Sequence, residues 1–333
     1  MDKESVRALK AEMAEQVVRP LLSDSKIVRS FGISPTSLRN VTAAPPGIAL
    51  GIASGNGQRD YRLAVRVQRR TLQALPDLRA RFEEQTRGEV DLRYIGRLEK
   101  RQLPWYQTRR RPVQIGCSIG HYAITAGTLG ALLRHNPSGE TVILSNNHVL
   151  ADEDRATVGD DILQPGRYDL GGRPADVVGT LLDAVPLQPR GNLVDAAIAR
   201  LAVGIDPDRL LLEGAGALAG VRDTPIEPGD AAIKIGRTTG LTHGIVTAVE
   251  LDDVVVGYDV GDLSFDRQIE IEGTGASGFS AGGDSGSLIM DSEFRAFGLL
   301  FAGGDSGGSN GQGLTFANEL ATVLARLDLS LAP

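Results

Sequence analysis

The sequence predicts a mainly β protein: two antiparallel β-barrels in series, then a C-terminal helix, all preceded by a small α/β region. Three observations carry that expectation. From about residue 113 onward, short apolar runs follow one another, most of them separated by a turn residue or loop. Glycine occurs 41 times, often in GG, GD and SG pairs between those runs, which suits tight turns better than long helices. Before residue 113 the pattern differs, with helix-like stretches set among strand-like ones.

The elements follow in order. Residues 4–18 put Val6, Leu9, Met13 and Val17 at helical spacing, and Pro20 stops the run. Residues 30–46 read as a loop, with Pro35, Pro45 and Pro46. GIALGIA (47–53) reads as a strand and SGNGQR as a hairpin loop. In 60–68, Tyr61, Leu63, Val65 and Val67 alternate with other residues, the mark of a half-buried strand. Pro76 can start a helix to about Glu84, with Leu75, Leu78 and Phe82 on one side. VDLRYI (90–95) is a further strand, so 47–95 forms a β-β-α-β unit. Residues 97–112 read as a linker, giving an N-terminal region 1–112 and a larger domain 113–333.

In the larger domain a first strand series (AITAGTLGALL, TVILSN, DILQPG, DVVGTLL, DAAIARL) covers about 113–203. A second (AAIKIG, HGIVTAVEL, QIEIEG, SLIMD, FRAFGLLFA, GLTFAN) covers about 230–318. The Gly/Pro-rich stretch 204–229 divides them as a crossover. Residues 316–328 close the chain as a helix, with Leu320, Val323, Leu324 and Leu327 as its stripe.

Composition narrows the class. The single cysteine, Cys117, excludes an intramolecular disulfide and reads as a small core residue. The N-terminus is charged and lacks a signal-peptide core. No apolar run reaches the ~18–20 residues of a membrane span. A soluble, cytoplasmic protein is expected, with no membrane partner; an oligomer is left open. Net charge is -7, yet residues 59–111 alone carry +8. That basic stretch is a solvated surface, or else it meets an anionic or protein partner.

Three phrases carry chemistry: LSNNHVL around His148, VDAAIARL around Asp195 and GGDSGS around Ser285. A serine hydroxyl is a weak nucleophile until a base takes its proton, and the base needs a partner that fixes its tautomer. His148 follows an apolar strand, Asp195 begins one, and Ser285 lies in a run of small residues. Glycines there let backbone N–H groups turn toward a developing oxyanion, with Gly283 and Ser285 as the expected donors. No phosphate-binding phrase or metal-like spacing appears, so neither cofactor nor metal is expected. His121, His135 and His243 are read as structural, with His243 a minor pocket candidate.

Together the phrases resemble the trypsin/chymotrypsin-like serine peptidases, in that family's order of His, Asp and Ser. KIGRTTGLTHGIVTAVEL (234–251) is similar to a second-barrel segment of the bacterial branch, which includes α-lytic protease and the streptogrisins. SIGHYAITAGTLGALL is similar to intracellular bacterial members and the plant narrow-leaf protease. The resemblance covers about 113–330. It implies two six-stranded barrels with a cleft between them, and a serine endopeptidase acting on protein or peptide substrates. It also implies that Lys234 pairs with Asp284, which would preform the oxyanion hole. The substrate would pair as a strand along Phe301, Ala302 and Gly303.

A more literal phrase, Gly304-Asp305-Ser306-Gly307-Gly308, competes for the nucleophile. The resemblance places two strands and a helix after the nucleophile; Ser285 has them and Ser306 does not. Two departures stand. Phe301 occupies the position of a serine that usually bonds the catalytic aspartate. Phe279, six residues before Ser285, replaces a specificity aspartate, which implies a small or apolar residue before the cut. Two rival readings are a protease-fold binding module with a silent triad, and a nucleic-acid or partner-binding function for the basic N-terminal region. Restraint of the larger domain by that region is a further expectation.

Overall fold

The computed structural model describes residues 1–19, 47–55, 57, 59–68, 76–96, 98, 103–275 and 277–331. Pro20, the expected loop 30–46, Leu75 and residues 97 and 99–102 of the expected linker lie outside them. The chain forms two compact units, Met1–Gln102 and Leu103–Pro333. The division thus falls ahead of the expected boundary at 112. Residues 103–112 belong to the larger unit because they are bonded into it: Gln107 Nε2 donates to Arg237 O at 2.9 Å, and Arg110 N to Gln164 Oε1 at 2.8 Å.

In the first unit, α1 (Lys3–Met13) is capped by Asp2, whose side chain accepts from Ser5 N, and runs on through a wider turn at Ala14–Val18. Three strands, β1 (Ile48–Ser54), β2 (Tyr61–Val67) and β3 (Val90–Tyr94), make one sheet in that order. β1 and β2 are antiparallel and β2 and β3 parallel. A parallel pair needs a crossover, here α2 (Pro76–Thr86). Met13, Val17, Leu63, Val65, Val67 and Phe82 form its core.

The second unit holds two barrels. The first comprises β4 (Ser118–His121), β5 (Gly127–Thr128), β6 (Ala131–His135), β7 (Thr141–Ser145), β8 (Asp161–Leu163), β9 (Val177–Ala184) and β10 (Ala197–Leu201). β5 pairs with β4 and β6 with β7. Between them Leu129 N bonds Cys117 O and Gly130 N bonds Leu144 O. β5 and β6 therefore act as one bent strand, and the pairings run round a six-strand ring.

The second barrel comprises β11 (Ala231–Gly236), β12 (Gly240–Leu251), β15 (Gln268–Gly273), β16 (Leu288–Met290), β17 (Arg295–Gly303) and β18 (Leu314–Glu319). Pairing of β17 with β18 closes this ring of six. Between β12 and β15 a hairpin projects, formed by β13 (Val254–Tyr258) and β14 (Gly261–Phe265). This ribbon lies outside the strands expected from the sequence.

The last helix is α4 (Leu320–Arg326), after α3 (Asn147–Leu150) in the first barrel. It starts at Leu320 and not near 316, because residues 316–319 remain hydrogen-bonded in β18. One core joins Leu133, Leu144 and Ile198 of the first barrel to Leu288, Met290 and Leu299 of the second and to Leu320 and Val323 of α4. Each such side chain contributes roughly 1.5–3 kcal/mol on burial. That shared core holds the barrels face to face and fixes the cleft between them. No described helix is long and apolar enough to cross a membrane.

Candidate active site

The site is built where strands end. β7 delivers the chain to α3, a single turn that carries His148. The first N–H groups of a helical turn have no internal acceptor. Here Asp195 Oδ1 supplies it, accepting from Asn147 N at 2.6 Å and His148 N at 3.3 Å. Asp195 lies just before β10 and is fully buried. Its own backbone is held at both ends: its N–H donates to Asn318 Oδ1 at 2.9 Å and its carbonyl accepts from Asn146 Nδ2 at 2.7 Å. The second carboxylate oxygen takes the ring: His148 Nδ1 to Asp195 Oδ2 is 2.5 Å.

Burial alone would push the Asp195 carboxyl up, but the charge of His148, its hydrogen bond and that of Tyr258 outweigh it, so the pKa lies below 3.8. Burial pulls the His148 imidazole down, and the Asp195 charge and hydrogen bond, helped by Glu153, more than offset this. Its pKa lies above 6.5.

Ser285 comes from the other barrel, on the loop before β16. Its carbonyl accepts from Thr128 N, and Gly286 N donates to Leu300 O, both at 2.8 Å. Gly286 has φ +92, and a Cβ there would stand 2.1 Å from Ser145 Oγ, so only glycine fits. Ser285 Oγ lies 3.5 Å from Phe301 O and makes no hydrogen bond to His148. Both residues line one cleft of about 710 Å³, with Gly283, Thr125, Glu153 and Arg167.

The loop before Ser285 presents two unengaged donors. The Gly282 carbonyl accepts from Thr238 Oγ1 at 2.7 Å, and the Asp284 carbonyl from Ser287 N and Oγ. In a trans peptide the N–H opposes the carbonyl. The Gly283 and Ser285 N–H groups therefore face away from these partners, and neither has a protein acceptor among the described residues. Lys234 and Asp284, expected as a pair, are both fully buried with Nζ to Oδ2 at 3.2 Å. Asp284 also accepts from Thr238 N, Thr239 N, Thr239 Oγ1 and Ala281 N. Burial lowers the Lys234 pKa, with Asp284 opposing.

Beyond Leu300, the edge of β17 away from β18 has no strand partner among the described residues. Phe301, Ala302 and Gly303 line a second cavity of about 210 Å³ with Val256, Ser280 and Ser285. Phe279 is not in its wall. It packs in the second barrel's core with Ile269, Ile271 and Phe297, and its carbonyl accepts from Thr242 Oγ1 at 2.8 Å. The residue that faces the cavity is Ser280. Ser306 sits on the exposed stretch after β17.

The Phe301 departure has a physical answer. Its ring lies 4.6 Å from that of Phe265, whose ring stacks on Tyr258 at 5.9 Å. Tyr258 then donates its hydroxyl to Asp195 Oδ2 at 2.6 Å. The alternation of Val254, Val256 and Tyr258, followed by a turn at Asp259-Val260, was the available signal for this ribbon. The other histidines lie apart: His121 bonds Asp160 at 3.2 Å, His135 bonds Ser138 at 2.9 Å, and His243 is on an exposed part of β12. Cys117 is buried, its thiol pushed up to about 11 by burial, which makes it unreactive. Among the described residues no group of three or more His, Cys, Asp or Glu could hold a metal ion.

The fold is chymotrypsin-like. No family model and no curated protein matches the chain. Solved structures do. A glutamic acid-specific serine protease that uses a histidine triad in substrate binding is 21% identical, over 66% of this chain and 100% of its own, with a TM-score of 0.48. Nocardiopsis protease is 20% identical, over 66% and 100%, with a TM-score of 0.47. Thermobifida fusca protease A is 17% identical, over 66% and 99%, with a TM-score of 0.47. These likenesses concern fold; the chemistry rests on the site's own geometry.

Proposed function

We propose that this chain is a serine endopeptidase. The observation that carries the reading is the bonded pair His148–Asp195 sharing a cleft with Ser285 and two unengaged N–H donors. In this mechanism Ser285 Oγ turns from the Phe301 carbonyl to His148 Nε2, a contact that commonly tightens only with substrate. Oγ then bonds the peptide carbonyl carbon while Nε2 takes the proton. The Gly283 and Ser285 N–H groups receive the oxyanion. The C–N bond breaks, Nε2 returns the proton to the amine, and water repeats the sequence on the acyl-enzyme. The substrate lies along 301–303 by strand addition, with its side chain in the cavity lined by Val256 and Ser280.

A fluorophosphonate is expected to label Ser285 in the full chain and in Ser306→Ala, and to leave Ser285→Ala unlabelled, as read by peptide mapping. Label on Ser306 alone would overturn the assignment. The Ser285 Oγ, directed at the Phe301 carbonyl and not at His148, favours the rival reading, a silent binding module. Absence of label together with absence of casein turnover would overturn the peptidase reading in its favour. In the N-terminal unit, binding of DNA or RNA by the basic stretch would appear as a steep salt dependence.

A pH prediction follows from His148. The base must be neutral, so kcat/KM should fall as pH drops through a value above 6.5. Stability runs the other way: the raised pKa adds stability that is complete below 6.5 and lost as pH rises through the folded value. A pH-rate profile beside melting curves over the same range checks both signs.

A further inference from the structure

Building on the peptidase reading of the site, we propose that Tyr258 is a positioning residue for the triad, holding Asp195 from the barrel that carries Ser285. The hydroxyl lies 2.6 Å from Asp195 Oδ2, the same oxygen that accepts from His148 Nδ1 at 2.5 Å. Oδ1 is already taken by Asn147 N and His148 N. With Tyr258 in place, each carboxylate oxygen has two donors, and the plane of the carboxylate is fixed. The Tyr258 ring also meets the imidazole edge-on, at 5.8 Å between centroids.

The ribbon that presents Tyr258 is itself held. Behind it, the Tyr258 ring stacks on Phe265, which meets Phe301 of the substrate strand at a tilt. At its tip, Glu153 accepts from Asp259 N at 3.2 Å and from Val260 N at 3.0 Å. Arg155 bridges to Asp259 at 3.3 Å. The loop that supplies Glu153 follows the His148 turn directly and has three successive non-glycine residues at positive φ: Asp152, Glu153 and Asp154. Such backbone persists only where its surroundings over-determine it. Here Asp154 is bound by Asn147 Nδ2 at 2.6 Å and Leu187 N at 2.7 Å. The loop beside the imidazole and the ribbon beside the carboxylate thus lock one another.

Tyr258 stays a donor at working pH, because burial and the Asp195 charge push its ionisation far up. A donor on the anionic carboxylate stabilises the deprotonated His148–Asp195 pair. Removing it raises the pair's affinity for a proton. The charged groups around the imidazole are Asp195, Glu153 and Asp152 on its own barrel with Arg155 and Arg167, and Asp259 on the ribbon. Tyr258→Phe changes none of these charges, so the sign is unambiguous: the pair's titration moves to higher pH.

The test is an NMR titration of the His148 ring in the full chain and in Tyr258→Phe, assigned with His148→Ala, beside kcat and KM. An upward shift of about one pH unit is expected, the effect of losing one hydrogen bond to a charged group. A ten- to hundredfold fall in kcat with KM unchanged is expected over the pH plateau. An unmoved titration refutes the proposal. So does a kcat loss that appears only with an equal loss of melting temperature and no shift, since that is a packing effect. The titration needs no turnover. A shift in a chain that neither labels nor cleaves would sink the peptidase reading and leave the hold of Tyr258 on Asp195 standing.

Discussion

Asp195→Asn should lower kcat/KM by about 10⁴-fold, with KM nearly unchanged. The cause can be followed atom by atom. Asn147 N and His148 N both need an acceptor at the Oδ1 position. The amide oxygen of asparagine must therefore stay there, and its NH₂ group takes the Oδ2 position. An NH₂ is a donor, so His148 Nδ1 must become an acceptor. The ring proton then moves to Nε2, the atom that accepts from Ser285 in the proposed mechanism. Tyr258, previously a donor to Oδ2, can turn its oxygen toward the amide and accept, so it does not resist the flip. The fold should survive, because the backbone bonds of residue 195 to Asn318 and Asn146 involve no carboxylate. Steady-state kinetics with a melting curve separates the two effects. A loss below tenfold with the fold intact would mean that Asp195 does not set the tautomer of His148.

How much of this was legible in the sequence depends on how local each signal is. The phrases around His148, Asp195 and Ser285 combine a strand pattern with the reactive residue, so each could be placed on an element before any fold was known. The Lys234–Asp284 pair was legible only through resemblance, since nothing local tells a buried lysine from an exposed one. Phe279 was misplaced because counting back from Ser285 assumes a loop of fixed course, and this chain turns the ring into the barrel core. The start of the last helix was misread because Phe316 and Ala317 suit a strand and a helix equally; their ladder to Leu300 and Ala302 decides it. Residues 103–112 looked solvated by composition, yet the side chain of Gln164 bonds the backbone of Arg110 and the guanidinium of Arg111. Tyr258 was hidden for the plainest reason: its partner lies 63 positions away.

The second large effect concerns the buried lysine. Lys234→Met should destabilise the larger unit by about 3–5 kcal/mol, because it leaves the Asp284 carboxylate buried without its counter-charge. The value should fall toward the lower limit. Asp284 keeps three backbone N–H donors and the Thr239 hydroxyl, which spread the charge that Lys234 no longer meets. In a unit of this size each kcal/mol moves the melting temperature by about 2–4 °C, so a drop on the order of 6–12 °C is expected. Activity should fall as well. Asp284 ties Ala281 N to Thr238 N and Thr239 N, and those ties hold the turn that presents the Gly283 N–H. Lys234→Met with Asp284→Asn removes both charges and should recover much of the melting temperature, since the cost lies in an unpaired charge more than in a lost pair. If the double variant melts as low as the sum of the two single ones, the residues are not coupled. The loop before Ser285 would then be held by its backbone hydrogen bonds alone.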